Sequence, residues 1–150
     1  MQRTWTPICG TTSVARSVLA DTAWFVALID PRDRLNARAI ALAEQLAAER
    51  ALLLTTDAVL IELANYFARG PLRGHAGAWI HALRADRGWE IVPIERALLV
   101  RAEARYRRHG DKSWSLTDCH CMELMLARTI RDVATTDAGF AQAGFRCLLA

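Results

Sequence analysis

Ser17-Val18-Leu19-Ala20-Asp21-Thr22-Ala23-Trp24-Phe25-Val26-Ala27-Leu28-Ile29 is the stretch that decides the fold. A short β-leaning apolar run, Ser17–Ala20, meets one carboxylate at Asp21 and continues into an apolar helical run, Thr22–Ile29. Four more runs of the first kind follow: Ala51–Thr55, Glu90–Ile94, Asp132–Thr135 and Arg146–Leu149. Helical patterns separate them. Leu35–Arg50 is rich in Ala, Leu and Glu, and Asp57–Arg69 follows a Thr-Thr-Asp capping signal. His75–Arg87, Arg96–Arg108 and Leu116–Thr129 come next, with a short last turn at Ala138–Ala143. Strands alternating with helices predict βαβ units. Strands that are apolar throughout predict a sheet covered on both faces. The expected fold class is therefore α/β: a three-layer α/β/α sandwich with a mostly parallel central sheet of about five strands, built by right-handed crossovers.

The chain of 150 residues has the length of one domain, and 53% hydrophobic with 23% charged residues is a globular composition. No repeat or linker divides it. The expected organisation is a loosely ordered N-terminal extension, residues 1–17, followed by one domain, residues 18–150. No apolar run approaches the roughly 20 residues that span a bilayer, and Met1–Ser17 lacks a signal peptide's hydrophobic core. A cytoplasmic protein without a membrane partner is expected. Its cysteines, Cys9, Cys119, Cys121 and Cys147, should then be thiols. Cys119-His120-Cys121 lacks the spacing of a zinc site and has no second ligand pair nearby, so both cysteines read as small, half-buried helix residues. His75, His81, His109 and His120 read as surface or cap residues. The net charge of +3 says little by itself, but 18 of the 19 basic residues are arginine. That side chain suits bidentate phosphate contact, so an anionic polymer is a plausible partner; a GC-rich genome would produce the same bias.

The acids carry more information. Asp21 ends the first strand and Asp137 follows the fourth, both at the carboxyl edge where open parallel sheets bind ligands. Asp118, in Ser115-Leu116-Thr117-Asp118, sits in a capping-box pattern that opens a helix towards the same edge. Glu62 lies among Val59, Leu60, Ile61 and Leu63, so its carboxylate should be partly buried. Singly, Asp118 reads as a charge on a helix dipole and Asp137 as a cap. Together, four carboxylates in one cleft would repel each other unless a cation neutralised them, and hard oxygen ligands select Mg²⁺ or Mn²⁺.

At this point the sequence resembles the PIN-domain ribonucleases, in particular toxins of VapBC type toxin–antitoxin modules. The segments that carry the likeness are Val18–Asp30, Val59-Leu60-Ile61-Glu62-Leu63, Asp111–Cys119, and Thr135–Phe140 leading into Ala143-Gly144-Phe145. The resemblance implies an acidic pocket holding Mg²⁺ or Mn²⁺, with Asp21 and Asp118 as the direct ligands. Glu62 and Asp137 would act through metal-bound water or a second ion, and Thr22 and Ser115 would steady the site by hydrogen bonding. It also implies hydrolysis of RNA phosphodiesters, a homodimer, and a cognate antitoxin seated on the apolar helices Ile61–Phe67 and Ala76–Leu83. Against that last implication, Tyr66, Phe67, Trp79 and Ile80 read first as core, since helical stripes usually face it.

Rivals are weaker. Asp21-Thr22-Ala23 lacks the second acid of a haloacid-dehalogenase phosphatase, and the single lysine, Lys112, is poorly placed for a phosphoryl-receiver domain. A PIN-like domain in housekeeping RNA processing, or one serving only as an interaction module, is the remaining alternative. All four acids being intact argues against the latter.

Overall fold

The computed structural model describes residues 15–149, so most of the expected extension, residues 1–14, lies outside the described residues together with Cys9. The chain runs β1 (Ser17–Ala20), α1 (Thr22–Ile29), α2 (Asn36–Ala48), β2 (Leu52–Thr56), α3 (Asp57–Tyr66) and α4 (Arg73–Ala85). It continues with β3 (Trp89–Val92), α5 (Arg96–Arg108), α6 (Leu116–Ala127), β4 (Asp132–Ala134), α7 (Ala138–Gln142) and β5 (Arg146–Cys147). The five strands form one sheet in the order β3-β2-β1-β4-β5, and every pairing is parallel.

This order explains where a site can form. From β1 the chain steps outward through β2 to β3, then jumps back across β1 to β4 and β5. Right-handed crossovers then place α1–α4 on one face and α5–α7 on the other. The direction of travel reverses between β1 and β4, which leaves a crevice at their carboxyl ends. Asp21 enters that crevice as the first residue past β1, where its N–H bonds to Ala134 O at 3.2 Å. The strands beneath it are apolar because both faces are covered: Val18, Leu19, Ala20, Val133 and Ala134 are all fully buried.

Boundaries shift by one to three residues from the sequence reading, for local reasons. β3 starts at Trp89, paired with Leu53, and stops at Val92 because Pro93 has no N–H to continue the ladder. β2 runs on to Thr56, whose hydroxyl accepts the Val59 N–H at 3.1 Å and so caps α3. α2 ends before Arg50, whose φ of 52° breaks the helix. α3 ends early, at Tyr66.

Three expectations about side chains are corrected. Tyr66 is not core: it is 64% exposed, whereas Phe67 is buried and Trp79 and Ile80 are half-buried. Cys119 and Cys121 are fully buried rather than half-buried, and His120 is buried rather than at the surface. The cause is the position of α6, in which every residue from Asp118 to Met125 is buried. α5 packs along this helix, α3 lies against it, and Cys121 sits beside Thr56 at the end of β2, so neighbouring residues on different faces are all covered.

Candidate active site

Each predicted acid reaches the carboxyl edge from a different element. Asp21 is the N-cap residue of α1 and is only 3% exposed. The hydroxyl of Thr135 donates to its Oδ2 at 2.7 Å, while Oδ1, also buried, has no hydrogen-bond partner among the described residues. Asp118 lies in the first turn of α6, where the capping box expected from sequence forms. Its backbone N–H donates to Ser115 Oγ at 3.0 Å, and its Oδ2 accepts the Ser115 N–H at 2.7 Å. Glu62 sits half-buried on α3, with Thr22 Oγ1 donating to its Oε2 at 2.5 Å. Asp137 is exposed and caps α7 through Oδ1, which accepts the Gly139 N–H at 2.7 Å.

Electrostatics tie the four together. Burial pushes the Asp21 carboxyl up to about 7, the Thr135 hydrogen bond opposes that, and the charges of Asp118 and Glu62 push it further up. Asp118 is raised in the same way, first by burial and then, against its bonds to Ser115, by the charges of Asp137 and Glu62. The structure thus brings all four acids within one field. It does not clench them: among the described residues, no three His, Cys, Asp or Glu side chains converge tightly enough to enclose an ion by themselves.

The contrast with acids elsewhere is informative. Asp132, buried at the opposite edge, takes Arg146 at 2.6 and 2.7 Å and Arg16 at 2.5 Å. Although burial works against it, these two guanidiniums hold its carboxyl below the usual range. Glu123 on α6 takes Arg105 at 2.6 Å and Arg101 at 3.2 Å. The buried carboxylates Asp132 and Glu123 have two arginines each, yet among the described residues Asp21, Glu62, Asp118 and Asp137 have no cationic partner at all. Leaving a carboxylate buried and uncompensated is costly, and at Asp21 and Asp118 that cost shows as carboxyls held above the usual range.

Three further participants escaped the sequence reading. Thr135, fully buried, bridges two acids by donating to Asp21 and accepting the Asp137 N–H at 3.0 Å; its signal was a hydroxyl two residues before an acid. Gly139 is required because a Cβ there would come within 2.9 Å of Trp114 Cδ1 and 3.0 Å of Asp137 Oδ1. His120 lines a cavity of about 340 Å³ beside Glu62, with neither ring nitrogen partnered among the described residues. Burial holds its pKa below the ordinary histidine range.

A crevice at the reversal of a five-stranded parallel sheet, ringed by carboxylates from four elements, defines a class of protein, and comparison places the chain in it. The PIN domain family model matches residues 18–146, and the chain belongs to that family. Among solved structures it is similar to Mycobacterium tuberculosis VapC20, described as a sarcin-ricin loop cleaving toxin, with a TM-score of 0.75 at 22% identity over 85% of this chain and 95% of that one. It is also similar to FitAcB from Neisseria gonorrhoeae, with a TM-score of 0.59 at 20% identity over 87% and 95%. DNA-bound VapBC from Salmonella typhimurium gives 0.63 at 14% identity over 89% and 97%. A comparison with curated proteins gives no significant match.

Proposed function

We propose that the protein is a Mg²⁺- or Mn²⁺-dependent ribonuclease, the toxin of a type II toxin–antitoxin module, with Asp21, Glu62, Asp118 and Asp137 as its catalytic carboxylates. The observation that carries the reading is the buried Asp21 carboxylate, its Oδ1 without a partner and its charge opposed by no arginine. The residues fit a hard divalent cation: the donors are carboxylate and hydroxyl oxygens, and Mg²⁺ takes only one or two protein carboxylates beside its waters and a substrate phosphate.

On this reading Asp21 and Asp118 hold the ion, and Glu62 and Asp137 act through its waters or a second ion. Bound there, the metal supplies an activated water and neutralises charge on the scissile phosphate. The hydroxyls of Thr135 and Thr22 fix the orientation of Asp21 and Glu62, and the backbone N–H of Ser115 holds the Asp118 carboxylate, so the geometry is set before substrate arrives. Family membership and the similarity to a toxin that cleaves a sarcin-ricin loop support RNA as substrate. The similarity to FitAcB and VapBC supports a cognate antitoxin. So do Ile61 and Tyr66, exposed on α3, and an apolar groove edged by Trp24, Trp79 and Trp89. A homodimer rests on the family resemblance. Among the described residues no helix is long and apolar enough to cross a membrane.

The test is twofold. Purified protein incubated with RNA should cleave it with Mg²⁺ or Mn²⁺ and not in EDTA, and Asp118→Asn should abolish cleavage. Inducing the gene alone should arrest growth, with rescue by the adjacent antitoxin frame. Cleavage without growth arrest would favour housekeeping RNA processing, and neither would leave an interaction module.

A further inference from the structure

A second cavity, of about 620 Å³, opens between the end of α5 and the start of α6. Tyr106, His109, Lys112, Trp114 and Ser115 line it. It adjoins the acidic crevice through two of them. Ser115 caps Asp118, and Trp114 lies against Gly139 beside the Asp137 carboxylate. Trp114 is 7% exposed, and its indole N–H has no acceptor among the described residues. The His109 ring packs on it at 4.9 Å between centroids. Tyr106 is 53% exposed. Lys112 is the one fixed charge among the lining residues and pairs with Asp111 at 3.8 Å; Arg107 and Arg108, in the last turn of α5 outside the lining, form no ion pair among the described residues.

Aromatic faces with a cation close by are the chemistry that binds single-stranded nucleic acid: bases stack, and phosphates meet the cation. We propose that this cavity seats a nucleotide of single-stranded RNA next to the scissile phosphate, its base on Tyr106 and His109 and its phosphate at Lys112. This assignment rests on the ribonuclease reading. It gives a role to an aromatic shelf carrying Lys112 directly beside a ring of carboxylates that would otherwise repel a polyanion.

The test is binding, in EDTA, of a fluorescent oligoribonucleotide of about 12 nucleotides, a single strand left intact because the proposed cleavage needs the metal. Measured by anisotropy across a salt series, Tyr106→Ala and His109→Ala should each weaken binding about 5- to 100-fold. Lys112→Ala should lower the salt slope by about 0.7, the loss of one phosphate contact on a single strand. Arg131→Ala, at the opposite edge of the sheet, should change neither. Wild-type affinity and slope in the three cavity variants, or an equal loss in Arg131→Ala, would overturn the proposal. The two readings fail separately. Binding through these residues without metal-dependent cleavage of unmodified RNA would sink the nuclease and keep the cavity; cleavage with indifferent variants would do the reverse.

Discussion

The Thr135 hydroxyl donates to Asp21 Oδ2 at 2.7 Å, linking the end of β4 to the end of β1. The same oxygen accepts the Asp137 N–H at 3.0 Å, so one buried side chain sets the position of two acids. This bond also works against the burial that pushes the Asp21 carboxyl up. Thr135→Val, nearly the same shape, should therefore raise the Asp21 pKa further. The acid limb of the pH–rate profile should move to higher pH, and activity should fall about 10- to 100-fold, as for other groups that orient metal ligands. An unmoved limb would show that Thr135 only packs.

The pH dependence of stability has a definite sign. Asp21 has a folded-state pKa of about 7 against an ordinary 3.8, so it favours folding below 3.8 and that contribution disappears as pH rises through about 7. Asp118 acts in the same direction. In EDTA, the melting temperature should fall across this window, by an Asp21 contribution of at most roughly 4 kcal/mol, and millimolar Mg²⁺ should reverse the fall. Calorimetry of Asp21→Asn without metal should give a flatter profile. A wild-type curve that is flat through pH 7 would remove the electrostatic basis of the site.

Asp132 supplies the opposite case. Its carboxyl is held low, so its contribution to folding is present above the ordinary carboxylate pKa and is lost as pH falls through its depressed value. Asp132→Asn strands Arg16 and Arg146 beside β4 and should destabilise the protein by about 1–3 kcal/mol. Cleavage per folded molecule should stay within a factor of about two. Equal loss of activity in Asp132→Asn and in the site variants would mean that neither acts through chemistry.

Gly139→Ala places a methyl against Trp114 and Asp137. Overpacking of this kind costs about 1–3 kcal/mol. Because the displaced groups edge the acidic crevice, cleavage should fall along with thermal stability. Full activity at wild-type stability would show that Trp114 yields freely.

Much of this was legible in the sequence. Apolar runs bounded by Asp21 and Asp137 placed two strand ends on one edge, and Ser115 with Asp118 announced its own capping box. What escaped depended on packing between distant segments. Thr135 looks like any strand threonine until β1 and β4 are neighbours, 114 residues apart for the bonded pair. His120, Cys119 and Cys121 were misread because a helix covered by α5, α3 and the end of β2 has no exposed stripe between Asp118 and Met125. Tyr66 erred the other way, an aromatic at helical spacing that stays in solvent.

The most direct test of the account is Asp21→Asn, which removes the charge and keeps the shape. Manganese titration calorimetry and RNA cleavage would be measured on the same folded samples as wild type. The account predicts that the variant folds, loses Mn²⁺ binding and no longer cleaves RNA. Undiminished cleavage with Mn²⁺, or unchanged Mn²⁺ affinity, would contradict it.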